Sequence, residues 1–269
     1  MSFKLAAAAC GAAMGIALAM NPAMAADPSA APTQAAPQAA AAPQPSIDPH
    51  ADELLSKTCA ALGAADAFSF HAEILFDKVL PPAVKVQYAA EMNFALQRPD
   101  ELAVDYQSDL GGKKLWYQND TLTIFDQPHE MYASMKVPSS IDTMLDEVER
   151  TEHLTLPLSN LAYSDPCMRI RKRIIFGSYI GVNDVNGLAC DHLAFSSRDI
   201  DLQLWLDRSG KPVPRKIVIN YRTEPGAPEY IAVLSDWKFP KEISSSRFSP
   251  ELPKDAKRIE FLKVKGSQP

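Results

Sequence analysis

Cys190-Asp191-His192-Leu193-Ala194-Phe195 leads into Ile200-Asp201-Leu202-Gln203-Leu204-Trp205-Leu206. The chain turns at Asp207-Arg208-Ser209-Gly210-Lys211-Pro212 and returns as Arg215-Lys216-Ile217-Val218-Ile219-Asn220-Tyr221. In the middle run Ile200, Leu202, Leu204 and Leu206 point one way, while Asp201, Gln203 and Asp207 point the other. Period-two alternation gives one dry and one wet face, as in an antiparallel sheet half open to water. On this reading Leu202, Leu204, Ile217 and Ile219 line the dry side, and Asp199, Asp201 and Asp207 lie along the wet side and serve solubility.

The same alternation recurs upstream. Phe68, Phe70, Ala72, Ile74 and Phe76 alternate with Ser69, His71, Glu73 and Asp77, and Pro81-Pro82 breaks the run. Val84, Val86, Tyr88, Ala90, Met92, Phe94 and Leu96 follow. At ~3.3 Å per residue this second run extends on the order of 40 Å, about twice the usual strand length. A strand that long in a compact domain curls, which favours a barrel or strongly bent sheet. Leu102, Val104 and Tyr106 form the next strand, and Asn119-Asp120 marks a hairpin between Leu115-Trp116-Tyr117 and Leu122-Thr123-Ile124-Phe125. Tyr230 to Trp237 and Ile259 to Val264 read as late strands.

Helices interrupt this meander twice. Asp52 to Leu62 carries Leu54, Leu55, Ala60 and Leu62 at near-helical spacing, with Gly63 as a stop. After Pro138, Ser139 or Ser140 caps a helix whose Ile141, Met144, Leu145 and Val148 share one face. Leu156-Pro157-Leu158 and Ser159 to Tyr163 predict a second short helix. The apolar side of this insertion needs a partner, and the concave face of a bent sheet is the available one. The expected fold class is therefore α+β and mainly antiparallel β: an open, half-closed β-barrel with a few helices covering its concave face.

Residues 1–25 read as a signal peptide: Lys4, an apolar stretch from Leu5 to Met20, and an A-x-A pattern at Ala23-Met24-Ala25. The apolar core is shorter than the ~20 residues a membrane span needs. Residues 26–47, built from Ala, Pro and Gln, form a linker too poor in large apolar side chains to order itself. Residues 48–269 make one domain. An exported chain, expected in a bacterial periplasm, is permitted disulfides. Cys59, Cys167 and Cys190 allow one bridge; the reading pairs Cys167 with Cys190 and leaves Cys59 a buried thiol on its helix, all three reduced being the alternative.

The balance of 27 Lys and Arg against 33 Asp and Glu, net −6, argues against nucleic acid as a partner. Arg169, Arg171, Lys172 and Arg173 form the one basic run, read as a solvated strand edge, with an anion or lipid-headgroup site as the sharper alternative. No G-x-S-x-G, P-loop, H-E-x-x-H or C-x-x-C occurs, and His50, His71, His129, His153 and His192 show no ligand spacing. Asp191-His192 near Ser196 and Ser197 is not a triad, because neighbouring strand residues face opposite ways. No catalytic residue, cofactor or metal site is expected. The dry-face residues Phe70, Ile74, Val86, Tyr88, Met92, Phe94, Leu102, Tyr106, Leu204 and Ile219 are either core or, if the helices leave room, the lining of an apolar groove. Aromatic and Met linings suit acyl chains.

The order of several loose motifs resembles a group of uncharacterised periplasmic proteins related to the LolA-like superfamily of lipoprotein carriers. The resemblance runs from Asp48-Pro49-His50-Ala51-Asp52-Glu53-Leu54-Leu55 through Arg98-Pro99-Asp100-Glu101-Leu102, Tyr132-Ala133 and Leu156-Pro157-Leu158. It continues with Gly181, Val185-Asn186-Gly187, Cys190 to Phe195, Gln203-Leu204-Trp205-Leu206, Pro212-Val213-Pro214-Arg215 and Asp236-Trp237. It implies an open barrel with a helical lid over a hydrophobic cavity and no enzymatic activity, with Arg98 the nearest counterpart of the carriers' cavity arginine. The implied partner is an apolar ligand such as a lipid or acyl chain, transient membrane contact being compatible with that role; the alternative is an envelope protein bound by an interaction or stress-sensor module.

Overall fold

The computed structural model describes residues 46–152 and 158–261. The signal-peptide and nearly all of the linker readings, Leu156-Pro157, His153 and Leu262 to Val264 lie outside the described residues.

The chain runs β1 (Ser46–Ile47), α1 (Pro49–Gly63), β2 (Ala67–Leu80), β3 (Val84–Gln97), β4 (Glu101–Ser108), β5 (Gly111–Gln118), β6 (Thr121–Asp126) and β7 (Met131–Lys136). It continues through α2 (Ile141–Glu152), a 3-10 turn (Ser159–Ala162), α3 (Met168–Arg171), β8 (Phe176–Val185), β9 (Leu188–Ser196), β10 (Ile200–Asp207), β11 (Pro214–Tyr221), β12 (Glu229–Lys238), a second 3-10 turn (Ser245–Phe248) and β13 (Lys257–Arg258). The strands form one sheet in the order β1-β8-β9-β10-β11-β12-β2-β3-β4-β5-β6-β7-β13. Its ends do not meet, so the barrel is open. Every pairing is antiparallel except the two short edge contacts, β1 with β8 and β13 with β7.

The two long strands β2 and β3, of 14 residues each, pair along their whole length from Ala67↔Gln97 to Leu80↔Val84. Tight turns hold the meander in register: Asn119 and Asp120 both take positive φ (51° and 55°), as do Asn186 and Gly187 (51° and 82°). These are the conformations a two-residue primed hairpin requires.

Inward residues from both wings, Leu193 and Leu202 on one and Leu102 and Leu122 on the other, share a single core with helix residues Leu55, Ile141, Met144 and Val148. The sheet therefore wraps around α1 and α2. Asp48 caps α1 by accepting from His50 N (2.8 Å), and Pro49 occupies the first turn. In α2 the spacing Ile141, Met144, Leu145, Val148 puts four nearly inaccessible side chains on one stripe, each contributing about 1.5–3 kcal/mol as an upper estimate. Outside the sheet, Trp116, Phe125, Ala95 and Ala103 are covered by Phe248 and Ile243 as the chain returns across the convex face.

Several expectations are corrected. Among the described residues the last strand is Lys257–Arg258 and Ile259 to Phe261 do not continue it; Lys257 N and Ile259 N donate to Glu130 O and Tyr132 O at the edge of β7. The basic run is not a strand edge: Arg169 and Arg171 sit on α3, paired with acids of α2 and α1. Asp207 is not a solubility residue. It is buried, accepting from Ser209 N and Oγ (both 2.7 Å) and Arg215 Nε (2.7 Å). Burial raises its pKa, but these donors outweigh it and hold the carboxyl below its ordinary value. A depressed folded pKa stabilises fully above the unfolded value of about 3.9, and the contribution is lost as pH falls through the folded value. The acid-unfolding midpoint should therefore move to higher pH in Arg215→Met; an unmoved midpoint would remove Arg215 from the explanation.

The disulfide joins Cys59 to Cys167 (Cα–Cα 5.8 Å), not Cys167 to Cys190. Cys190 is free and buried. It shares strand parity with His192 and Ala194, opposite to Leu193 and Phe195 of the main core, so it faces away from the helices and cannot meet Cys167. Cys59 meets it because α1 lies against the segment leading into α3. Burial, and then Asp207 nearby, push the Cys190 thiol up to about 11, which suppresses the reactive thiolate. Alkylation of the chain from residue 26 should label no cysteine rapidly in the native state, one after denaturation, and three after denaturation with reduction.

Candidate apolar binding site

The helices do not fill the concave face evenly. At one end Phe68, Phe70, Phe94, Trp237 and Phe239 form a stack with ring separations of 4.6–6.1 Å. Beyond it a cavity of about 460 Å³ remains, within the usual range of ligand sites. Strand β4 supplies its wall through every second residue, Leu102, Val104, Tyr106 and Ser108, continued by Leu110 in the turn. From Leu102 to Ser108, where β4 ends, this wall runs roughly 20 Å at ~3.3 Å per residue. Met92 and Phe94 of β3, Leu115 of β5, Ile124 of β6 and Tyr230 of β12 complete it, with Leu145 of α2 and Ala162 as roof.

A second, smaller cavity of about 240 Å³ lies on the other side of the same roof, against Phe195, Leu202, Ile219 and Tyr221. Leu145 and Ser159 border both spaces. α2 and residues 158–171 are thus a lid that divides the concave face.

Polar contacts stitch this lid together. Tyr163 Oη donates to Asp146 Oδ1 (2.9 Å), and Ser164 N to Asp142 Oδ1 (2.9 Å). Arg169 donates to Asp146 Oδ1 (2.7 Å) and to Glu149, and its guanidinium covers the Tyr163 ring. The lid is tied to the sheet by Arg98, whose Nη1 and Nη2 donate to Ala162 O and Tyr163 O, both at 2.9 Å. Burial lowers the Arg98 pKa, opposed by Asp142 and Asp66; an arginine remains charged regardless. The Cys59–Cys167 bridge adds a tie to α1.

Among the ten dry-face residues, the structure brings Met92, Phe94, Leu102 and Tyr106 together in the larger cavity and places Ile219 in the smaller. Phe70, Ile74 and Leu204 are core side chains. Val86 and Tyr88 are half-buried on the part of the β2–β3 hairpin that outruns its neighbours, Tyr88 stacked on Phe76 at 5.8 Å. The Asp191-His192 pair is separated as strand parity requires. Asp191 accepts from Tyr179 Oη (3.0 Å), and His192 lies between Asn183 Oδ1 (2.8 Å) and Gln203 Oε1 (3.1 Å), stacked on Trp205. Among the described residues no helix is long and apolar enough to cross a membrane.

Residues 51–262 match the family described as "Predicted periplasmic protein (DUF2092)". The chain belongs to this family. No curated protein matches this family member. Among solved structures it is similar to LprF from Mycobacterium bovis, with 13% identity, a TM-score of 0.45, and 74% of this chain and 98% of that one covered. It is also similar to the lipoprotein LppX of Mycobacterium tuberculosis (11% identity, TM-score 0.43, 73% and 100% covered). A LolA superfamily protein from Nitrosomonas europaea stands at 11% identity and a TM-score of 0.38, with 74% and 97% covered.

Among the lining residues of this family member that the sequence reading does not assign to the groove, two are charged. Lys78 and Lys113 border the larger cavity, although a charged side chain on an alternating strand is expected on its wet face. Strand parity carried one step further would have found them: Lys78 follows Phe70, Ala72, Ile74 and Phe76, and Lys113 precedes Leu115 and Tyr117.

Proposed function

We propose that this chain is a non-enzymatic periplasmic binding protein that holds the hydrocarbon chain of a lipid between β3–β6 and the α2–α3 lid. The observation that supports this most is the wall of β4, apolar through Leu102, Val104 and the Tyr106 ring and roofed by Leu145 and Ala162. Its length exceeds the ~15 Å that one leaflet contributes to a bilayer core, so an extended acyl chain fits along it. A periplasmic setting, which the family description suggests, would give such a protein lipid to carry through water.

The test is native mass spectrometry on protein recovered from periplasm, together with displacement of a fluorescent fatty acid. Val104→Trp places a large side chain in the cavity without burying a charge; overpacking costs about 1–3 kcal/mol where no space exists and less where it does. Fatty-acid affinity should fall at least about tenfold while the fold is retained. Unchanged affinity in a folded variant, or no lipid bound by the wild type, would reject the site.

A second reading, in which the chain binds an envelope protein, draws on the β8 edge. Beyond Gly177 that edge has no strand partner among the described residues, and Ile180 and Val182 are about half exposed. An added strand could pair there. A photo-crosslinker at Val182 that captures one envelope protein reproducibly would favour it; lipid binding that Val104→Trp abolishes favours the first reading.

A further inference from the structure

The larger cavity changes character along its length. Its deep end is hydrocarbon: Phe94, Leu102, Leu115, Ile124, Leu145 and Ala162. Its outer end adds Tyr106, Ser108, Tyr230, Lys78 and Lys113. Strand register explains the order. Phe94, Val104 and Leu115 lie in one cross-strand row, Met92, Tyr106 and Lys113 in the next, and Phe76 pairs with Tyr88 and Tyr230 further out, followed by Lys78 against Val86.

Both lysines are exposed, and neither has an ion-pair or hydrogen-bond partner among the described residues. The neighbouring carboxylates are engaged elsewhere: Asp77 with Lys85 (3.4 Å) and Glu229 N (3.1 Å), Asp105 with Lys114 (3.4 Å), Asp126 with His129 (3.1 Å), and Asp109 with Ala89 N (2.7 Å). The Tyr230 hydroxyl likewise has no partner among the described residues, although the residue is only 6% exposed. A hydroxyl with no protein partner at the border of a cavity is available to bond a ligand or water.

An apolar channel that ends in two free ammonium groups and a free hydroxyl donor matches one kind of molecule. We infer that the ligand is an anionic single-chain amphiphile, its hydrocarbon tail along β4 and its carboxylate or phosphate head between Lys78 and Lys113. This rests on the cavity reading above and narrows it to a ligand class. The tail supplies most of the affinity. The head selects and orients, because the lysines are solvated and each contributes modestly.

The inference is tested with three probes of the same chain length on the purified full protein: oleate, oleoyl lysophosphatidate and neutral oleyl alcohol. Wild type should prefer the anionic probes to the alcohol by about tenfold, and the preference should shrink as salt screens the lysines. Whichever anionic probe binds more tightly distinguishes a carboxylate from a phosphate head. Lys78→Met together with Lys113→Met should remove the preference, read as the ratio of anionic-probe affinity to alcohol affinity. Equal binding of all three probes to wild type, or a preference that survives the double substitution, overturns the headgroup inference while the cavity stands. Failure of every probe to bind overturns both.

Discussion

Replacing Cys59 and Cys167 together by serine should lower the melting temperature by about 4–16 °C. The bridge closes a separation of 108 residues. Constraining a loop of that order is worth up to about 4–5 kcal/mol in the chain-entropy account, and typically about 2–4 kcal/mol when measured. In a domain of this size each kcal/mol moves the midpoint by about 2–4 °C. The loss should be local as well as global, because the bridge anchors the lid to α1, and hydrogen exchange around Cys167 should rise more than in β2 or β3. Cys190→Ser is the control. Cys190 is buried beside Asp207 rather than bonded, so that variant should keep most of the melting temperature. A loss in Cys190→Ser as large as that in the double variant would restore the Cys167–Cys190 pairing.

What could be read in advance follows from how far apart the determining residues lie. Alternation along Val84–Leu96 is a property of neighbouring residues, and it identifies both the strand and its inward face without tertiary knowledge. The helix stripe Ile141, Met144, Leu145, Val148 is local in the same way. Whether an inward side chain ends in core or cavity is not local. Phe70 and Phe94 face the same way on paired strands with ring centres 4.7 Å apart, yet only Phe94 borders the open space. Val86 has the parity of Met92, but the β2–β3 hairpin carries it past the end of β4, where β2 alone lies beside it. The lid was legible as helices and illegible as a unit, because Asp142, Asp146 and Glu149 find Ser164, Tyr163 and Arg169 some twenty residues away. Cys59 misled for the same reason: on its own helix it looks like one more apolar position, and only the docking of α1 against the lid reveals its partner.

Arg98→Met should loosen that lid more than any other single change outside the core. The guanidinium gives each of two lid carbonyls a charge-assisted bond at 2.9 Å, and hydrogen bonds from a charged group contribute about 1.5–3 kcal/mol each. Part is recovered on substitution, since Arg98 is partly buried and its Nε has no hydrogen-bond partner, so the net loss should be about 3 kcal/mol. If that loss falls on lid opening, the open population rises on the order of a hundredfold, read as faster exchange at Leu161 to Tyr163. The core should feel it less, because Ile141, Met144 and Val148 still bury the root of the lid. Bound fatty acid should then leave faster, with little change in its rate of entry once the lid is open. Arg98→Lys separates charge from geometry, since an ammonium donates from one point where the guanidinium fork holds two carbonyls. It should rescue only part of the slow release. Exchange at Leu161 to Tyr163 unchanged in Arg98→Met would show that the disulfide and the Asp146–Tyr163–Arg169 cluster alone hold the lid closed.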